Sequence, residues 1–152
     1  MKYSAATLFA GAAIAGAAVL PPSTVCGENV NIAGYTFEFD NTGANSFSFN
    51  VTGVDGIPVT CSTGKVEPGL TIPSKVFGCG DSKYAFSVGT DGSNGVDLSN
   101  PQYDITLYKE TGPGVGLWAE THIPSACARS EETSPLACSQ VSTVYGFLLN
   151  CT

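Results

Sequence analysis

The chain has 152 residues, 43% of them hydrophobic and only 12% charged, and 13 acidic against six basic side chains give a formal net charge of −7. That balance argues against a nucleic-acid partner, whose phosphates demand clustered Lys and Arg, and against docking on an anionic membrane. With so few charges the polar surface must rest on Ser, Thr, Asn and Gly, a composition suited to an extracellular protein.

The sequence opens with "MKYSAATLFAGAAIAGAAVLPP": one positive charge at Lys2, an uncharged Ala-rich run from Ala5 to Leu20, then Pro21-Pro22. This is the layout of a secretory signal peptide over residues 1–17, with Ala15, Gly16 and Ala17 supplying the small residues of a cleavage site. A membrane span needs ~20 strongly apolar residues. This run is shorter and diluted by Gly and Ala, and no later run is long enough. Residues 18–152 are therefore expected to form one secreted domain without a membrane span, large enough for a single core.

Beyond the leader, period-two alternation dominates. In "GYTFEFD", Tyr35, Phe37 and Phe39 share one side; in "NSFSFNVTGV", Phe47, Phe49 and Val51 do. "KYAFSVG" and "YDITLYKE" repeat the pattern through Tyr84, Phe86 and Val88, then Tyr103, Ile105 and Leu107. "VGLWAETHI" sets Val115, Leu117, Ala119, Thr121 and Ile123 against Trp118, Glu120 and His122, and "SQVSTVYGFLL" reads as a last strand whose alternation shifts near Gly146. Alternation of this kind marks half-buried antiparallel strands. The segments between them, such as "DNTGANS", "TGVDGIP" and "ETGPGVG", have turn compositions. Apart from one short helical turn within 124–133, no segment carries a helical stripe. About seven or eight short strands predict an all-β, compact antiparallel β-sandwich or β-barrel.

Six cysteines, Cys26, Cys61, Cys79, Cys127, Cys138 and Cys151, follow the leader. An even count in a secreted chain reads as three disulfides, for which fifteen connectivities exist. The spacing suggests two local bridges, Cys61 to Cys79 and Cys127 to Cys138, leaving Cys26 and Cys151 to tie the ends. No CxxC occurs, so neither a redox pair nor a zinc knuckle has its spacing. The stretch "CARSEETSPLAC" (127–138) is then a stapled, solvent-suited surface loop carrying Arg129, Glu131 and Glu132.

Catalytic signals are sparse. His122 is the single histidine, and no GxSxG elbow accompanies it, so a half-exposed strand residue is the expected role. "DGSNGVD", with Asp91, Asn94 and Asp97, offers oxygen ligands but lacks the EF-hand's alternating acids and terminal Glu; turn chemistry explains it as well. Glu131 and Glu132 are adjacent in a loop, where solvation is their ordinary role. No metal site and no cofactor are expected. Asn50-Val51-Thr52 is an N-glycosylation sequon whose Asn50 alternates toward solvent. Asn150-Cys151-Thr152 also fits the pattern, but its middle residue is an expected disulfide cysteine in a terminal segment, so little use is expected.

In order, "VTCSTGK", "FGCGDSKYAFSV", "YDITLYKETG", "HIPSACARS" and "LACSQVSTVYGFLL" resemble the Alternaria-major-allergen-like family of small secreted fungal proteins, and above all its elicitors of the plant hypersensitive response. The resemblance spans residues 26–150. It implies a compact β-sandwich or β-barrel with two local disulfides and a non-enzymatic protein released toward the plant apoplast, where it triggers cell death and defence. The family's allergen joins two subunits through a near-N-terminal cysteine. Here Cys151 offers Cys26 an internal partner, so a covalent dimer is not expected. The partner is expected to be a plant surface or apoplastic component, met by the stapled loop with Arg129, Glu131 and Glu132 and by the strand face around Trp118, for which burial under a loop or in a second core is an equally weighted alternative. The contrasting reading is an extracellular carbohydrate-binding module or small hydrolase, in which exposed aromatic rings stack on sugars.

Overall fold

The computed structural model describes residues 27–90, 100–131 and 134–151, with side chains as far as Tyr145. The expected leader (1–17), Cys26, the 91–97 loop and Glu132 lie outside the described residues, as do the side chains of Asn150 and Cys151. Ten strands follow in chain order: β1 (Glu28–Asp40), β2 (Gly43–Thr52), β3 (Pro58–Ser62), β4 (Phe77–Gly78), β5 (Tyr84–Gly89), β6 (Asp104–Gly112), β7 (Val115–His122), β8 (Ser125–Ala128), β9 (Leu136–Gln140) and β10 (Val144–Cys151). Among the described residues there is no helix.

The long strand β1 organises the rest. One edge pairs with β2 along most of its length. Its other edge pairs first with β10, through residues 28–32, and then with β9, through residues 36–39. The changeover falls at Gly34, whose φ of +65° is a left-handed conformation that costs glycine little. Either side of it the buried positions switch from even (Val30, Ile32) to odd (Tyr35, Phe37, Phe39), so Gly34 sits in a bulge that re-aims the strand. Gln140 clamps this bend: its amide donates to the Ile32 carbonyl at 3.1 Å and its carbonyl accepts from the Tyr35 N–H at 3.0 Å.

The strands run in the order β3-β2-β1-β10-β7-β6-β5-β4, with the β8–β9 hairpin branching from β1. The two ends of this curled sheet meet at a disulfide. Cys61 of β3 is bonded to Cys79, just beyond β4, with Cα atoms 4.2 Å apart. The bridge joins the free edges and gives the all-β domain its barrel-like closure. Inside, Phe37 and Phe47 of β1 and β2 each meet Tyr103 edge-on at 5.2 and 5.3 Å, and Phe49 meets Phe86 of β5 at 4.9 Å. These rings cross from one half of the sheet to the other, each pair adding ~0.5–1.5 kcal/mol beyond its buried area.

Two expectations are corrected. The helical turn allowed within 124–133 is instead strand β8, because Ser125, Ala126, Cys127 and Ala128 pair with residues 137–140. The stapled stretch is thus a β-hairpin in which Cys127 and Cys138 are direct cross-strand partners, their Cα atoms 4.0 Å apart. The single last strand is in fact two, β9 and β10, split by a turn at 141–143. Residues 141–143 pair with no strand, and the Val141 N–H donates instead to the Pro124 carbonyl at 3.1 Å. The shift near Gly146 is present: β1 advances two residues (Val30 to Ile32) while β10 spans three (Phe147 to Val144).

Candidate functional site

Strands β5, β6 and β7 present their outward residues as cross-strand rows. Tyr108 lies opposite Trp118, Thr106 opposite Glu120, and Asp104 opposite His122, with Ala85 and Ser87 of β5 beside the first two rows. Trp118 is 43% exposed, so it is neither core nor covered by a loop. Tyr108 is oriented by a contact between its hydroxyl and Ser87 Oγ at 3.3 Å. Together with the β6–β7 turn the two rings line an open groove of about 610 Å³, whose walls include Lys83, Lys109, Glu110 and Leu117. Gly116 forms part of its wall; a Cβ there would stand 2.8 Å from the Lys109 carbonyl oxygen.

Behind the groove lies a buried ion pair. Glu28, 9% exposed, accepts hydrogen bonds from the Tyr84 hydroxyl at 2.9 Å and the Val54 N–H at 3.2 Å, and is bridged by the Lys109 ammonium. Lys109 also lies 5.0 Å from the Tyr84 ring centroid. Burial by itself raises the Glu28 pKa, but the bonds from Lys109, Tyr84 and Val54 outweigh it and hold the carboxyl below its ordinary value. Burial likewise works against the Lys109 charge, yet its bonds to Glu28 and Tyr84 lift its pKa above the usual lysine value. Both groups stay ionised across the physiological range. The network joins β1, the turn after β2, β5 and β6, residues up to 81 positions apart.

Arg129 belongs elsewhere. It is exposed after β8 and lines a pocket of about 540 Å³ with Phe39, Asp40, Leu70, Ile72 and Tyr103. Glu28 marks the start of β1 and Asp40 its end, so Arg129 and the Trp118 groove sit toward opposite ends of the long strand. The structure therefore does not bring the stapled hairpin and the aromatic face into one continuous surface. Glu131 is exposed, and its carbonyl accepts from the Ser134 N–H at 3.0 Å in a turn. Burial pushes the Tyr103 hydroxyl up to about 12. Tyr35, fully buried, has its pKa raised well above normal, chiefly by burial, and its hydroxyl finds no hydrogen-bond partner among the described residues.

His122 has a partner that sequence reading missed: its Nδ1 lies 2.9 Å from Asp104 Oδ1. The cross-strand register was the available signal. Asn50 is exposed on β2, and its side-chain carbonyl accepts from Thr60 Oγ1 at 2.8 Å. Among the described residues no group of three or more His, Cys, Asp or Glu side chains is arranged to hold a metal ion.

Comparison with known proteins places these features in a family. Residues 32–138 match the family model described as Alternaria alternata allergen 1. Effector protein PevD1 of Verticillium dahliae is 31% identical over 132 residues, covering 82% of this chain and 77% of that protein. Crystal structures of the Alternaria alternata allergen Alt a 1 share the fold. One superposes with a TM-score of 0.59 at 20% identity, over 87% of this chain and 94% of the allergen. A second gives the same score at 19% identity, over 81% and 91% of the two chains.

Proposed function

Because the chain belongs to the Alternaria alternata allergen 1 family, and its relative PevD1 is an effector, we propose that it is a secreted effector that acts on plant tissue. In this reading it leaves the producing cell through the leader at 1–17, reaches the apoplast, and elicits hypersensitive cell death and defence without catalysis. The observation that carries the reading is the relation to PevD1, which runs through 82% of this chain rather than through one motif. A barrel-like scaffold with a stapled hairpin and an outward aromatic face supports it, since such rigid surfaces present interaction residues at low entropic cost. No covalent dimer is part of the reading. Infiltrating the purified mature protein (18–152) into leaves, against a buffer control, tests it. Local cell death and an oxidative burst are the expected outcome, and leaves indistinguishable from the control would overturn the reading.

A further inference from the structure

We propose that the Trp118 groove is a binding site for a neutral oligosaccharide, a pyranose ring stacking on Trp118 with Tyr108 beside it. The proposal stands apart from the effector reading and rests on the outward residues of β5, β6 and β7 and on the groove they share with the β6–β7 turn. Directly opposed residues on neighbouring antiparallel strands have Cβ atoms about 5 Å apart. The indole and phenol therefore leave the same face of the sheet from opposed positions, with Trp118 43% exposed. Trp118 is not part of the buried core, so its exposed ring is open to a ligand.

What surrounds the two rings decides the occupant. The next row along the strands, about 7 Å away at two residues per step, is Thr106 and Glu120, and the row after it is Asp104 and His122. On the other side the groove wall carries Lys83 and Glu110. A face of hydroxyls, carboxylates and an ammonium bordering two rings matches a sugar, whose ring presents apolar C–H faces and a rim of hydroxyls. An apolar protein surface would leave those polar groups unpaired. Charge selects further. Lys109 is neutralised by Glu28, and Lys83, which forms no salt bridge among the described residues, stands beside Glu110, whose N–H donates to the Lys83 carbonyl at 2.9 Å. In a chain of net charge −7, a groove so balanced favours a neutral chain over a polyanion. The volume of about 610 Å³ and open shape suit a short run of residues within a longer polymer.

The chain contains a single tryptophan, so intrinsic fluorescence reports from the site itself. The mature protein is titrated with cellohexaose, xylohexaose and chitohexaose, and separately with hexagalacturonate. A saturable change in Trp118 emission with at least one neutral hexaose is expected. Calorimetry should show that Trp118→Ala weakens binding by about tenfold or more, as removal of a central aromatic anchor does, and Lys83→Ala by a smaller factor. Circular dichroism of both variants should match the wild type. No emission change with any neutral hexaose overturns the proposal. So does wild-type affinity in a folded Trp118→Ala protein, and a response to hexagalacturonate alone overturns the assignment to a neutral ligand.

Discussion

Replacing Gly53 by alanine tests the buried ion pair without touching any of its members. Gly53 is not among the residues with positive φ, so the backbone accommodates alanine, and any cost must come from space. A Cβ there would stand 2.3 Å from the Tyr84 hydroxyl and 2.5 Å from Glu28 Oε1. Both lie closer than a Cβ tolerates, so both side chains must shift. Losing the Tyr84–Glu28 hydrogen bond, made to a charged group, costs about 1.5–3 kcal/mol. Moving the carboxylate as well would strain the pair with Lys109, whose complete rupture in a buried setting costs about 3–5 kcal/mol. Because Lys109 retains 21% side-chain exposure, water offsets part of that loss, and a total near ~3 kcal/mol is expected. In a domain of this size that corresponds to roughly 6–12 °C in Tm. Chemical denaturation and thermal melts should be followed for Gly53→Ala, Tyr84→Phe and the double variant. Tyr84→Phe removes one of the two colliding atoms, so the double variant should be less destabilised than the sum of the singles by about 1–2 kcal/mol. Gly89→Ala, where a Cβ meets nothing within 4 Å, is the control and should stay within about 0.5 kcal/mol of wild type. A neutral Gly53→Ala, or strictly additive costs, would refute the reasoning.

Further outcomes follow from the same geometry. The Glu28 carboxyl titrates below its unfolded value of 4.5, so its contribution to stability is complete above that pH and is lost as pH falls through the depressed folded value; Lys109 titrates above 10.5, so its share is complete below that pH and is lost as pH rises through the folded value. Glu28→Gln should therefore lower stability at pH 7 by about 2 kcal/mol and flatten the acid limb of a stability–pH profile. Replacing Cys61 and Cys79 by serine, which opens a bridge 18 residues apart in sequence, should cost about 3 kcal/mol in denaturant titrations. Trp118→Ala should weaken the leaf response while stability stays within about 0.5 kcal/mol, as for an exposed position. Secreted from a glycosylating host, the protein should lose mass on endoglycosidase treatment, and Asn50→Gln should remove that shift.

Much of the barrel was legible because alternation survives wherever one face of a strand is buried. Phe47, Phe49 and Val51, or Tyr103, Ile105 and Leu107, are core residues read directly from period two. The same logic put Trp118 outside. The start of β1 escaped because the parity of its buried residues flips at Gly34, so Val30 and Ile32 do not continue the run of Tyr35, Phe37 and Phe39. Strands β3, β4, β8 and β9, of two to five residues, are too short for a period to show. Val115 kept the inward parity of β7 yet is 57% exposed, because it sits at the β6–β7 turn where the barrel ends. The Glu28–Lys109 pair, 81 positions apart, depends on tertiary closure and leaves no local trace. Nor does the separation of Arg129 from Trp118.

The central claim is that the protein acts on plant tissue through its folded, stapled surface, and one comparison tests it most directly. Native mature protein and a reduced, alkylated sample are infiltrated into leaves at equal concentration, and cell death and oxidative burst are scored. A response to the native sample alone is expected, because opening Cys61–Cys79 and Cys127–Cys138 unseals the barrel edges and releases the hairpin. Equal responses to both samples would place the activity in a linear segment and contradict the account.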